Sequence, residues 1–305
     1  MTPHATPIRP EPLTRFLREI GPRYQADIRA GSDATKEAYL PFLAAAPKAG
    51  VKLTRDVAYA QHARCVLDIY APEGARNAPV VAFVHGGAFV RGDKDINAEI
   101  YGNVLTWFAR RGCIGVNIEY RLAGEAPYPE GGRDVGAACA WIKNSIVEYG
   151  GDAQRFCLIG HSAGGTHAAT YAFDPALGQF GRDISALVLM SARTRADALP
   201  SNPNAAAVQS YFGQDTGLFE SRSPVTHAAA SRLPMMLVCA EYENPLLDVY
   251  NLELAHRVAR ARGRAPRFII AADHNHISLV AQFNSGEDWI GEQILDFFAS
   301  TFAPA

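Results

Sequence analysis

The chain has 305 residues, of which 48% are hydrophobic and 20% charged, and this length and composition exclude a disordered or fibrous protein. Lys and Arg number 29 against 31 Asp and Glu, so the net charge of −2 provides no positive field to attract a phosphate backbone or an anionic lipid surface. We therefore expect neither nucleic acid nor a membrane as a partner. One domain with insertions is favoured over two domains, because α/β folds often exceed roughly 150 residues.

The sequence shows no segment that would direct the chain to or across a membrane. The first 13 residues contain no continuous apolar stretch typical of a signal peptide, and nowhere do about 18 uncharged apolar residues follow one another. We expect a cytoplasmic protein, and a homodimer is compatible with everything in the sequence.

The first 50 residues predict helices. Apolar residues recur at a spacing of three to four over 11–30, as in an amphipathic helix, and a second short helix is predicted around 34–45. From residue 51, short β-branched runs alternate with longer helical patterns, which predicts a largely parallel sheet with helices on both faces. The predicted strands span 52–59, 64–70, 79–84, 113–118, 155–160, 184–190, 234–240 and 266–271.

Helical patterns cover 96–108, between the third and fourth predicted strands, and 247–258, between the last two. A last helix is predicted over 290–298. The pattern fails over 192–231, where prolines and asparagines interrupt it. We interpret this segment as an irregular insertion over the sheet edge.

The strongest motif is Gly-x-Ser-x-Gly around Ser162, placed between an apolar run and a helix-like segment. A serine hydroxyl is a poor nucleophile, so it must be held clear of the sheet where a base can reach it. A sharp turn from strand to helix does this, and the flanking Gly160 and Gly164 remove side-chain clashes. Ser162 is therefore the predicted nucleophile. The alternative is a Ser-Gly-rich turn without chemistry.

A second motif ends the apolar run 79–84 with His85, Gly86 and Gly87. A glycine pair presents backbone N–H groups without obstruction, as an oxyanion hole requires. Gly86 and Gly87, together with Ala163 after the nucleophile, are the predicted donors. His85 is favoured as a residue that anchors the loop, since the chemistry does not require its imidazole.

These motifs, in this order, make residues 51–305 resemble the α/β-hydrolase fold and, within it, carboxylesterases of the hormone-sensitive-lipase type. The family's His-Gly-Gly-Gly motif is matched except at Ala88, and the segment 119–123 is similar as well. The resemblance implies a mostly parallel eight-stranded sheet flanked by helices. It also implies a helical N-terminal cap element over 1–50 and a lid-like insertion over 192–231 within the catalytic domain 51–305.

In this fold an acid follows the serine along the chain, and a histidine follows the acid. The acid should come just after the strand 234–240, where 241–246 resembles the family pattern Gly-Glu-x-Asp-Pro-Leu. Alignment from the left assigns Glu243, and alignment from the right assigns Asn244, which cannot balance the charge of an imidazolium. Glu243 is preferred, with Asp248 second and Glu241 third.

The base should lie in the loop after the last strand, where His274 and His276 compete. His276 opens a run similar to the family's His-Phe-Ser-Ile and is preferred. The His-x-His pair is also a pattern for metal binding, but no sequence signal supplies a third ligand. We expect neither a metal nor a cofactor.

The resemblance implies a serine hydrolase that cleaves short-chain or aromatic carboxylic esters, with a small-molecule ester as substrate. Apolar ligand pockets are the rule, and five residues on segments that should approach the serine are candidates for such a pocket. Two other readings stay open: an arylformamidase or other amide hydrolase with the same triad, and a non-catalytic hydrolase-fold receptor. The candidate pocket residues are Phe89, Tyr128, His161, Tyr211 and Phe212.

Overall fold

Eight strands form one sheet within residues 9–302, the part of the chain that the computed structural model describes. All eight predicted strands are confirmed, with ends that differ by a few residues. The first eight residues of the expected N-terminal cap lie outside the described residues. The strands are β1 (Val51–Ala58), β2 (Val66–Pro72), β3 (Ala78–Val84), β4 (Ile114–Ile118), β5 (Gly151–His161), β6 (Ala186–Met190), β7 (Met235–Tyr242) and β8 (Arg267–Asn275).

The strand order is β1-β2-β4-β3-β5-β6-β7-β8. Strands β3 to β8 are parallel, whereas β2 pairs antiparallel with both β1 and β4. The sheet is therefore mostly parallel, as predicted. Because parallel strands end at the same edge, the loops after β3, β5, β7 and β8 all lie along one edge of the sheet.

Helices cover both faces of this sheet, as the alternating pattern predicted. Within residues 9–302, no helix combines the length and the apolar character that crossing a membrane requires. The helices are α1 (Glu11–Ile20), α2 (Ile28–Ala45), α3 (Gly102–Ala109), α4 (Glu130–Ser145), α5 (Ala163–Phe173), α6 (Ala205–Phe212), α7 (Phe219–Arg222), α8 (Pro224–His227), α9 (Leu247–Arg262), α10 (Ser278–Ala281) and α11 (Trp289–Ser300).

Two helix predictions are wrong in their extent. The single helix predicted over 11–30 is divided, because Pro22 lacks an N–H and residues 21–26 form a 3-10 turn instead. Helix α2 then begins at Ile28, where the Asp27 side chain accepts a hydrogen bond from the Ala30 N–H, and it includes the predicted 34–45. The helix predicted from residue 96 begins only at Gly102.

Alternate residues of the central strands contribute to two separate cores. Val81 and Phe83 of β3 face the core shared with α1, α2, α3 and α11, whereas Val80 and Ala82 face the core shared with α4, α5 and α9. Both cores exclude solvent from the central strands, as expected for parallel strands buried on two faces. The N-terminal helices pack in the first core through Leu13, Leu17, Tyr39 and Leu43.

The segment 192–231 is less irregular than predicted, because it contains α6, α7 and α8 joined by short turns. It follows β6, an inner strand with a neighbouring strand on each side, so it does not begin beside either outermost strand of the sheet. Its residues Tyr211 and Phe212 pack with Phe89 and Ala163 in a third apolar cluster. The segment therefore lies over the carboxyl ends of the inner strands.

Candidate active site

Ser162 occupies the sharp turn between β5 and α5. Its backbone angles are φ 56° and ψ −122°, a conformation that is rare for residues other than glycine. A Cβ atom added at Gly160 would lie 2.6 Å from the backbone of α5, and one added at Gly164 would overlap the carbonyl oxygen of Val84. The Ser162 N–H donates to the carbonyl oxygen of Met190 at 3.0 Å. The turn thus requires small residues on both sides of the serine.

Glu243 and His276 are joined by a hydrogen bond. The His276 Nδ1–H donates to Glu243 Oε2 at 2.9 Å, and both residues are buried. The carboxylate also accepts hydrogen bonds from the N–H groups of Ala240 and Asn244, each at 3.1 Å, and from the Ser191 hydroxyl. Four donors thus orient the carboxylate and stabilise its charge. With the Nδ1 proton held by Glu243, His276 Nε2 is the nitrogen that accepts a proton.

The competing acids and histidine have other partners. Asp248 lies in the first turn of α9, and the exposed Glu241 accepts a hydrogen bond from the Asp273 N–H at 2.7 Å. His274 contacts Ser278 Oγ through Nδ1 at 2.9 Å and Glu287 Oε1 through Nε2 at 3.0 Å. This arrangement favours Glu243 and His276 as the acid and base.

The glycine pair after β3 lies against the serine turn. A Cβ atom added at Gly86 would lie 3.0 Å from the Ser162 Cβ, so a larger residue would displace the serine. Gly87 has φ +150°, and a Cβ there would overlap the carbonyl oxygen of Arg91. Ala163 is the first residue of α5, so its N–H has no partner within the helix. These positions suit donors to an oxyanion next to Ser162.

Four of the five candidate pocket residues form one aromatic cluster. Phe89 stacks on Tyr211 with 4.7 Å between ring centroids, and Tyr128 stacks on Phe212 at 5.8 Å. Phe89, Tyr211 and Phe212 each expose 1% or less of their surface. The rings therefore pack against one another, close to the start of α5 through Ala163.

The fifth candidate, His161, is buried beside the base. Its Nε2–H donates to the carbonyl oxygen of His276 at 3.0 Å. Burial, and to a smaller extent His276, lowers the pKa of His161 well below its usual value, so the imidazole is neutral. The structure thus gives His161 a contact with the loop that carries His276, which the motif alone does not predict.

Sequence reasoning missed two residues whose side chains contact Glu243, the candidate acid. Ser191, which bonds Glu243, lies directly after β6 at the carboxyl edge, and that position is the signal that could have identified it. Gln25 donates through Nε2 to the Glu243 carbonyl oxygen at 2.8 Å. No local pattern predicts this last contact, because 218 residues separate its partners.

More than half of the chain, residues 67–246, matches the family model BD-FAE. The chain is 36% identical over 122 residues to carboxylesterase NlhH of Mycobacterium tuberculosis, a match that covers 38% of this chain and 34% of that protein. The matched segment thus spans about a third of this curated relative.

Two solved structures have a similar fold. Esterase B from Lactobacillus rhamnosis superposes with a TM-score of 0.71 at 19% identity, covering 93% of this chain and 96% of that chain. Esterase LipW from Mycobacterium marinum gives a TM-score of 0.68 at 24% identity, covering 97% and 99%. These similarities confirm the predicted α/β-hydrolase fold.

Proposed function

The chain belongs to the BD-FAE family and has the α/β-hydrolase fold, and from this premise we propose that it hydrolyses carboxylic esters with Ser162, His276 and Glu243. One observation carries the proposal: the buried 2.9 Å hydrogen bond between His276 Nδ1 and Glu243 occurs at the sheet edge where Ser162 occupies its strained turn. The similarity to carboxylesterase NlhH supports the same reaction class.

The reaction would proceed through an acyl-enzyme. His276 Nε2 takes the proton from Ser162 Oγ while the oxygen attacks the ester carbonyl carbon, and Glu243 stabilises the imidazolium. The N–H groups of Gly86, Gly87 and Ala163 donate to the resulting oxyanion. As the carbon–oxygen bond breaks, His276 returns its proton to the departing alkoxide, and the alcohol leaves.

Water completes the cycle. His276 removes a proton from a water molecule, whose oxygen attacks the acyl carbon, and the same imidazole then protonates Ser162 as the acid departs. Ester cleavage is favoured over amide cleavage, because an alkoxide leaves more readily than an amine, which must first be protonated. This chemistry needs no group beyond the side chains and backbone of the chain itself.

The proposed substrates have short acyl chains or an aromatic group. The aromatic cluster of Phe89, Tyr128, Tyr211 and Phe212 packs against Ala163, so a substrate bound at Ser162 would lie next to these closely packed rings. Its dense packing favours a small substrate, since room for a long chain would require these rings to separate.

The test combines turnover with labelling. We expect the purified protein to hydrolyse p-nitrophenyl acetate and butyrate faster than it cleaves N-formylkynurenine. We also expect a p-nitrophenyl phosphonate to inactivate it by forming one adduct, located at Ser162 by peptide mass spectrometry. A formamide cleaved faster than every ester would assign an amide hydrolase instead. Absence of both turnover and labelling would assign a non-catalytic receptor.

A further inference from the structure

A cavity of about 740 Å³ lies where the ends of α2 and α3 meet the loop 284–288. Small-molecule sites in proteins typically have volumes of about 300–1,000 Å³, so this cavity has the size of a ligand site. Among residues 9–302, its lining includes none of the candidate catalytic or pocket residues. The cavity is therefore separate from the candidate active site, and the proposed ester hydrolysis does not use it.

The part of the lining that comes from α2 and the residues after it is apolar. Phe42 is partly buried against the first core, whereas Pro41 and Ala45 are exposed at the cavity. An apolar surface of this kind favours a ligand that brings its own apolar body, because both surfaces then leave water. The apolar lining residues are Pro41, Phe42, Ala45, Ala46 and Pro47.

Arg110, directly after α3, gives the cavity a positive charge. Its Nη1 donates to Asn284 Oδ1 at 2.8 Å, which is the one hydrogen bond of its side chain among the described residues. No carboxylate of the described residues lies within ion-pair distance of this guanidinium, and it donates to no carbonyl oxygen at the end of α3. A guanidinium has five N–H donors, so four of them are available to a ligand.

The neighbouring Arg111 has its partners within the protein. Its guanidinium lies 3.7 Å from the centroid of the Trp107 ring, and its Nη2 pairs with Asp288 Oδ2 at 2.8 Å. Burial lowers the pKa of Arg111, Asp288 and Glu292 raise it, and the positive charge of Arg110 lowers it again. Asp288 and Glu292 thus balance Arg111, whereas the charge of Arg110 is left for a ligand.

Asn284 holds Arg110 beside the apolar wall. While its Oδ1 accepts from Arg110, its Nδ2 donates to the carbonyl oxygen of Pro47 at 3.5 Å. One side chain therefore connects the cation with the end of the apolar lining. A guanidinium that is already held in place loses less conformational freedom when a ligand binds.

We propose that this cavity is a second binding site, which takes a small organic carboxylate with an apolar body. The carboxylate binds the planar donor fork of Arg110, whose geometry matches two carboxylate oxygens. The body of the ligand lies on the apolar wall from α2. The acid that ester hydrolysis releases belongs to this chemical class, but the binding does not depend on that reaction.

Binding is tested by NMR of the full ¹⁵N-labelled chain, whose three tryptophans each give one indole N–H signal. The Trp107 indole N–H donates to Asp288 Oδ1 at 2.7 Å, and Asp288 lines the cavity. We therefore expect cyclohexanecarboxylate to shift the Trp107 signal until it saturates. This signal is assigned by its loss in Trp107→Phe. The Trp141 signal, from α4, should not move.

Two further probes separate the charge from the apolar body. Cyclohexanemethanol has the body without the charge, and acetate has the charge without the body. Each should bind roughly 10- to 100-fold more weakly than cyclohexanecarboxylate, because each lacks one of the two contacts. The proposal is wrong if the Trp107 signal does not respond to cyclohexanecarboxylate, or if either of the other probes binds equally well.

Variants locate the site. Arg110→Gln should weaken binding of cyclohexanecarboxylate to the level of the alcohol and leave the alcohol unaffected. Its control is Arg260→Gln, an exposed arginine on α9 without an ion pair among the described residues, which should change neither affinity. Ala45→Phe, which fills the cavity from the last turn of α2, should weaken both probes.

An unchanged affinity for the acid in Arg110→Gln would overturn the proposal, and so would equal losses in Arg110→Gln and Arg260→Gln. Full binding in Ala45→Phe would place the probe elsewhere and overturn it as well. Every result is a shift of an indole signal, so the outcome is readable whether or not the protein hydrolyses esters.

Discussion

At the residue scale, the proposed nucleophile gives the sharpest prediction. Ser162→Ala should lower kcat for p-nitrophenyl butyrate by roughly 10⁶-fold, the loss found when the serine of a comparable triad is removed. The fold should persist, because alanine is smaller than serine and the Ser162 backbone is held by its own N–H bond to Met190. Circular dichroism and thermal unfolding check this. Activity within tenfold of the wild type would contradict the assignment.

The choice between the two histidines has a matched test. His276→Ala should be as damaging as Ser162→Ala, because it removes the imidazole that faces Glu243. His274→Ala should cost much less activity, since His274 contacts Ser278 and Glu287. The measurement is kcat for both variants on one ester. The reverse order of effects would transfer the role of base to His274.

The acid is tested by removing charge while keeping shape. Glu243→Gln should lower kcat strongly, although by less than the roughly 10⁴-fold seen for the analogous aspartate change in serine proteases. The physical reason is that an amide cannot stabilise the imidazolium and favours the wrong tautomer of His276. Asp248→Asn, on the first turn of α9, should be nearly silent. An impaired Asp248→Asn beside an active Glu243→Gln would identify Asp248 as the acid.

At the element scale, the N-terminal helices hold the loops that carry the proposed base and acid. Arg9, just before α1, pairs with the buried Glu287 at 2.7 Å, and Glu287 in turn contacts His274. Asn275, at the end of β8, donates to Thr35 of α2 at 2.9 Å. These contacts fix the chain on either side of His276 from a segment that carries none of the hydrolase motifs.

This arrangement predicts a stability effect. Glu287→Gln should lower the free energy of unfolding by about 3 kcal/mol, because removing one partner of a buried ion pair leaves the other uncompensated. Arg15→Gln, which breaks an exposed pair with Glu11, should cost little. Urea unfolding of both variants measures the difference. Equal and small effects would show that the Arg9–Glu287 pair contributes no stability.

The same pair has a predictable pH dependence. Burial would raise the pKa of Glu287, but the bonds from His274 and Arg9 prevail and lower it below its ordinary value of 4.5. A carboxylate with a lowered folded-state pKa stabilises the protein above its unfolded-state pKa, and this contribution disappears as the pH falls through the folded-state value. The difference between wild type and Glu287→Gln should therefore shrink below about pH 4.5.

Most of the strands were predictable because they are short runs rich in apolar and β-branched residues, a pattern that is local to the sequence. The helix break at Pro22 was missed because the apolar spacing continues across it, although proline itself carried the signal. Contacts such as Gln25 with Glu243 depend on how distant loops meet, and no local pattern encodes them. The structure brings Glu243 and His276 together, but their catalytic roles remain predictions.

At the scale of the whole molecule, the apolar side chains exposed at the surface indicate whether the substrate is a small ester or a lipid aggregate. Within the described residues of the segment 192–231, Leu199 and Leu218 are the large apolar side chains that are exposed. Val208, Tyr211 and Phe212 of the same segment are buried in the third cluster. A lipase that acts on lipid aggregates needs a continuous apolar surface at its entrance, and two separate leucines do not supply one.

We therefore expect kcat/KM to be highest for esters with acyl chains of roughly two to six carbons and to decline through decanoate to palmitate. The reason is that the rings of the third cluster are buried and leave little apolar surface for a long acyl chain. With tributyrin, the rate should rise smoothly through the solubility limit, since an enzyme without an apolar entrance gains nothing from the droplet surface. A p-nitrophenyl ester series and a tributyrin titration measure the two effects.

Phe212→Ala, which removes one ring from the cluster, should shift the optimal acyl-chain length toward longer chains. The control is Phe302→Ala, at an exposed position far along the chain, which should leave the optimal acyl-chain length unchanged. A wild-type optimum at decanoate or beyond, or a jump in rate when droplets form, would contradict the short-chain assignment.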